Sequence, residues 1–144
     1  MEKKKDEIIK NMKRLAEKLK ELFEEDVKIT SMSIDGSKKW QFKIGSETGR
    51  LELDIWFYNI QETLDYLIMG QKNSEPVVRI NWFEVNPQRI GLGTKTYNEF
   101  ISILPDKVFR SVILDFNDES SREFWLSLGF NQIKGYARMY KDLY

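Results

Sequence analysis

Over residues 2–25 the apolar side chains Ile8, Met12, Leu15, Leu19 and Leu22 follow a four-three-four-three spacing, which returns them to one side of a helix. Ile9, Ala16 and Phe23 widen that stripe, while lysines and glutamates fill the other side, several as i,i+4 pairs. The pattern predicts a long amphipathic helix. Its stripe has two destinations. Packing on the protein's own sheet is the simpler; a homodimer seam is the other, since a/d-like spacing persists for about two heptads.

The period then changes to two. Val27 to Ile34 runs into Asp35-Gly36, a hairpin signal. Trp40, Phe42 and Ile44 alternate with Gln41 and Lys43. After a turn over Gly45 to Gly49, Leu51, Leu53, Ile55 and Phe57 face one way and Glu52 and Asp54 the other. These three strands form an antiparallel meander. Asn59 can cap a short helix, with Glu62 in the reciprocal position, Gly70 as its stop and Ile60, Leu64, Leu67 and Ile68 as its face. Gln71 to Pro76 reads as a loop.

Val77 to Val85 is nearly continuous in bulky apolar residues, which predicts a central strand buried on both faces. A glycine-containing turn follows, then a helix from about Leu92 to Leu104 with Thr96, Phe100 and Ile103 on its face, Tyr97 and Ile101 beside them, and Pro105 ending it. Phe109 to Phe116 is a further strand. Asn117-Asp118-Glu119-Ser120 opens the next helix, with Ser120 and Glu123 as its capping box and Gly129 as its left-handed close. From Phe130 two short strands turn near Lys134-Gly135. The strand–helix–strand crossover makes 77–85 and 109–116 parallel neighbours. The whole is a mixed α+β sheet within one domain, 1–144, with no repeat or linker.

Composition narrows the chemistry. Lysine plus arginine balance aspartate plus glutamate at 23 each, and the Lys-rich residues 3–20 are interleaved with glutamates. With neither net charge nor basic stripe, no nucleic-acid partner is expected. There is no Cys and no His, which removes thiol nucleophiles, thiolate or imidazole metal sites and a Ser-His-Asp triad; no metal is assigned. Any general base must be a carboxylate, a Lys, a Tyr or water. No apolar run reaches membrane-spanning length, and Met1 to Asp6 lead into a charged helix rather than a signal-peptide core, so a cytoplasmic protein without a membrane partner is the simplest expectation.

The joint Glu84-Val85-Asn86-Pro87-Gln88-Arg89-Ile90-Gly91-Leu92-Gly93-Thr94 carries the candidate chemistry. A strand turning sharply into a helix leaves backbone N–H groups unpaired at the positive end of the helix dipole, a ready phosphate site. The same turn also occurs with no ligand. The Rossmann fingerprint fails because Thr96 stands where a third glycine is needed, and a P-loop fails because Thr94 separates Gly93 from Lys95.

Gln88-Arg89-Ile90-Gly91-Leu92-Gly93 instead resembles the Gln/Arg-x-x-Gly-x-Gly/Ala segment of the GNAT superfamily of N-acetyltransferases. Phe124-Trp125-Leu126-Ser127-Leu128-Gly129-Phe130 resembles that family's helix ending in Leu-Gly-Phe, and Met139-Tyr140-Lys141 its last strand. The likeness covers 77–143, which it makes the cofactor-binding half. It implies a GNAT-like, mostly antiparallel sheet whose central parallel pair splays apart, with flanking helices. It implies acetyl-CoA as cosubstrate, its pyrophosphate held by backbone amides of Arg89, Ile90, Gly91, Leu92, Gly93 and Thr94, with Gln88 or Arg89 adding a side-chain contact. Pantetheine would pair with strand backbone at Phe83 and Val85, and Asn117 would contact the arm or a water.

By the same resemblance, the activity is transfer of acetyl to an amine of a small molecule or protein. Glu84 is the candidate base. Trp125 stands where the family often carries its tyrosine acid, and indole N–H is no practical acid at neutral pH. Either another tyrosine (Tyr97, Tyr136 or Tyr140) serves, or the thiolate leaves without a protein acid, or the fold is a non-catalytic module binding acyl-CoA or a protein partner. Glu47, Glu52, Asp54 and Glu84 can draw a cationic amine, although acidic side chains on strand faces are usually just solvated.

Overall fold

The stripe of the first helix is buried within its own chain. In the computed structural model, which describes residues 2–35, 39–58, 76–87 and 91–144, α1 (Glu2–Phe23) holds Ile8, Met12, Leu15 and Leu19 at no more than 1% exposure. These side chains meet the inward face of a meander: β1 (Val27–Asp35), β2 (Lys39–Ser46) and β3 (Leu51–Tyr58). Trp40, Phe42 and Ile44 of β2 and Leu51, Leu53, Ile55 and Phe57 of β3 all join that core, as their alternation predicts. The stripe thus takes the simpler of its two destinations, the protein's own sheet.

The chain continues through β4 (Val77–Val85), α2 (Leu92–Ser102), β5 (Ser111–Asp115), α3 (Glu119–Ser127), β6 (Asn131–Gln132) and β7 (Arg138–Asp142). The seven strands form one sheet in the order β1-β2-β3-β4-β5-β7-β6, antiparallel throughout except for the pair β4–β5. The α2 crossover produces that parallel pair, as expected. The helix predicted from Asn59 to Gly70 lies outside the described residues. No described helix is long and apolar enough to cross a membrane.

Three expectations need correction. β4 is not buried on both faces along its length: Val77, Val78 and Ile80 are buried, but Asn81 and Trp82 are exposed. The reason is a bulge. Asp54 pairs with Trp82 and Ile55 with Ile80, so Asn81 is an extra residue on β4. Strict alternation from Val78 and Ile80 would send Trp82 and Glu84 inward; the bulge sends Phe83 and Val85 there instead. Second, α3 is capped by Asp118, whose carboxylate accepts from Ser121 N at 2.8 Å, not by Ser120. Third, the strand expected over 109–116 is shorter, Ser111 to Asp115, with Arg110 and Phe116 adding single backbone bonds at its ends.

Candidate functional site

The β4–β5 ladder has four rungs, Val77–Ser111, Val78–Val112, Arg79–Ile113 and Ile80–Leu114, and then stops. Beyond Ile80, β4 stays paired to β3 through Trp82, Phe83, Glu84 and Val85, while its edge toward β5 carries no ladder bonds. The parted strands open a cleft of about 690 Å³. Trp82 to Val85 and Pro87 form one wall, Gly91, Gly93 and Thr94 one end, and Asn117 to Trp125 contribute the other wall.

The start of α2 borders this cleft. Gly91 is the N-cap at φ 82°, with no side-chain cap among the described residues and no acidic residue in the first turn. The N–H of Lys95 bonds Gly91 O at 3.0 Å, so the amides of Leu92, Gly93 and Thr94 precede that first turn's closing bond. The start of α3 differs, since Asp118 caps it and Glu119 stands in its first turn. Of the sequence-derived set, Phe83, Val85, Gly91, Gly93, Thr94 and Asn117 all line the cleft, as does Glu84. Leu92 instead buries its side chain at 8% exposure and anchors the turn to the core. Gln88, Arg89 and Ile90 lie outside the described residues.

An aromatic cluster floors the cleft. Phe83 stacks on Phe124 at 5.7 Å between centroids and meets Trp125 edge-on at 5.0 Å; Trp125 in turn meets Phe124 at 4.9 Å, Phe130 at 5.1 Å and Tyr97 at 5.8 Å. Trp125 is thus both cleft wall and core, only 4% exposed. A Cβ on Gly93 would lie 3.2 Å from the Phe124 ring. The alternative tyrosines sit elsewhere. Tyr97 is buried beneath Trp125, its hydroxyl without a hydrogen-bond partner among the described residues, and burial pushes its ionisation far above the usual tyrosine range. Tyr136 is exposed in the β6–β7 turn, and Tyr140 packs with Tyr58, Val77 and Ile113 on the sheet's other face. None lines the cleft.

The acidic residues divide by environment. Glu84 is half-buried in the cleft wall, directly opposite Glu52 on β3. Asp54 is internal, accepting hydrogen bonds from Gln41, Trp56 and Asn81. Glu47 lies in the β2–β3 turn. Where β5 ends, Asp115 accepts from Arg138 at 2.9 Å and from Arg79 at 3.1 Å. Burial alone would raise its carboxyl, but the hydrogen bonds and charges of Arg138 and Arg79 outweigh that and hold it below the usual range.

Sequence reasoning missed Trp82, Pro87 and the α3 residues Ser120 and Ser121 as cleft lining. Trp82 follows from the bulge, which leaves no periodic trace; Ser120 was legible only as a cap residue, and Ser121 carried no signal.

No protein-family model matches the sequence, and no curated protein sequence matches it. Solved structures match in fold. An AtaT toxin mutant, solved with acetyl-CoA and the C-terminus of the antitoxin AtaR, is similar at a TM-score of 0.55 and 11% identity, over 71% of this chain and 67% of its own. Arabidopsis thaliana NAA60, solved with a bisubstrate analogue, gives a TM-score of 0.51 and 12% identity, over 77% and 80%. The likeness is one of fold: the chain has the GNAT-like α+β fold that its two motifs imply.

Proposed function

From a GNAT fold whose central strands part over an uncapped helix start, we propose that this protein binds acetyl-CoA in the cleft and transfers acetyl to an amine. The observation that carries the reading is the coincidence of two unfilled backbone sets. Among the described residues, the β4 edge from Asn81 to Val85 has no ladder partner on the β5 side, and the start of α2 has no side-chain cap. Buried or half-buried backbone groups seek partners. An extended arm suits the first set and a pyrophosphate the second.

In this reading Phe83 and Val85 take the arm by backbone pairing, and Gly91, Leu92, Gly93 and Thr94 take the phosphates. Gln88, Arg89 and Ile90 continue that cradle, and Asn117 holds the arm from the opposite wall. The bound thioester supplies the acyl group. Glu84 receives the proton from the incoming amine, and the ring of Trp125 shields the reacting end from water. No protein acid is assigned, because no tyrosine among the described residues lines the cleft. That vacancy favours one second reading, an acyl-CoA-binding module without turnover. AtaT and NAA60 were solved with acetyl-CoA and with a bisubstrate analogue respectively, which supports the cosubstrate but not an acceptor for this chain.

Thermal unfolding with acetyl-CoA tests the proposal. At about 100-fold the dissociation constant, ligand stabilises by about 2.7 kcal/mol, or roughly 5–10 °C for a chain of this size. Thr94→Asp should abolish the shift by setting a carboxylate against phosphate. Thr94 is exposed in the first helical turn, where Asp also suits the dipole, so the free protein should melt no lower. No shift for the unmodified chain at millimolar acetyl-CoA overturns the reading. Binding without release of thiol across an amine panel selects the non-catalytic module.

A further inference from the structure

We propose that Asp54, outside the cleft lining, is a positioning residue that sets where the sheet opens. The inference rests on the acyl-CoA reading for its functional meaning, though not for its structural content. Asp54 is 8% exposed, and all three donors to its carboxylate are uncharged. Gln41 Nε2 on β2 reaches Oδ1 at 3.0 Å and Oδ2 at 3.2 Å, Trp56 Nε1 on β3 reaches Oδ1 at 3.0 Å, and Asn81 Nδ2 on β4 reaches Oδ2 at 3.0 Å. A buried carboxylate is costly unless its oxygens are filled, and here three neutral donors fill them, with Lys43 opposite on β2.

The third donor gives the cluster its consequence. Asn81 is the bulge residue of β4 and also the first residue beyond the last β4–β5 rung. One bond therefore holds the point at which β4 changes face and leaves its parallel neighbour. A flat, unbulged β4 would turn Trp82 and Glu84 inward and Phe83 outward, dismantling both the aromatic floor and the candidate base wall. Gln41 and Trp56 fix the carboxylate from two other strands, so the bulge is held by the sheet rather than by β4 itself.

Asn81→Asp would set two carboxylates against each other at that contact. Adding Asp54→Asn to it restores the pairing in reverse, because the new amide keeps one oxygen for Gln41 and Trp56 and donates its NH₂ to the new carboxylate. Acetyl-CoA affinity, read by calorimetry, should fall at least about tenfold in the single variant and recover to within about threefold in the double. Amide hydrogen exchange over 51–58 and 77–85 of the free protein reads the same register without ligand. Protection there should drop in the single variant and return in the double. Unchanged protection and affinity in Asn81→Asp, or no recovery in the double variant, overturns the role of Asp54. The exchange pattern without any acetyl-CoA binding by the unmodified chain supports the register role and overturns the acyl-CoA reading instead.

Discussion

Gly91 and Gly93 are needed for different reasons. Gly91 has open space around its missing Cβ, but its φ of 82° is a conformation that other residues adopt at a cost. Gly93 has an ordinary conformation, but the Phe124 ring sits where its Cβ would go. Gly91→Ala should therefore lose about 1–2 kcal/mol by urea denaturation and leave the near-ultraviolet signal of the aromatic floor unchanged. Gly93→Ala should alter that signal, because the ring stacked between Phe83 and Trp125 must shift. The turn's glycines were legible from their place between a strand pattern and a helix pattern. The reason for Gly93 was not, since Phe124 lies a strand and a helix further on and only tertiary packing brings it back. For the same reason Trp125 read as a departure from a motif, while its structural identity is the hub of four aromatic contacts.

Among the elements, periodicity located the α1 stripe, the meander and the crossover because one face of each is dry. Junctions carry no such signal. Ser120-x-x-Glu123 matches a capping box locally, yet the chain is already helical there, and the extended Asp118 does the capping. Arg50 is another junction invisible to pattern. Its Nη1 donates to Phe23 O at the end of α1 at 3.0 Å, its Nε donates to Asn86 O at 3.2 Å, and its guanidinium lies over the Phe23 ring at 5.5 Å. It thereby ties α1 to the segment leaving β4 for the cleft. Arg50→Ala should lower the free energy of unfolding by about 1–2 kcal/mol in urea, discounted for a side chain partly open to solvent. Arg50→Lys should recover little of it, because one ammonium cannot span both carbonyls as the planar fork does.

At the scale of the molecule, the site is a disagreement between two strands, parallel neighbours for four rungs and then parted. Chain order predicts that they are neighbours, and the GNAT resemblance implies that they splay. Neither locates the parting at Asn81, because a bulge is settled by cross-strand pairing that a linear pattern does not encode. The far side of the split is held electrostatically. Asp115, the last residue of β5, is clasped by Arg79 from β4 and Arg138 from β7, so one carboxylate joins three strands at the mouth. Its folded carboxyl ionises below its ordinary value of 3.8, so folding favours the charged form. The contribution is complete above about pH 5 and fades as pH falls through the folded value. Because the carboxylate is 38% exposed, solvent screening keeps the effect small, below about 1 kcal/mol. Asp115→Asn should therefore lower the urea midpoint slightly at pH 7, and the gap to the unmodified chain should narrow as pH falls below 3.8. A gap that fails to narrow as pH falls below 3.8 would mean that the side chain acts there by packing rather than by charge.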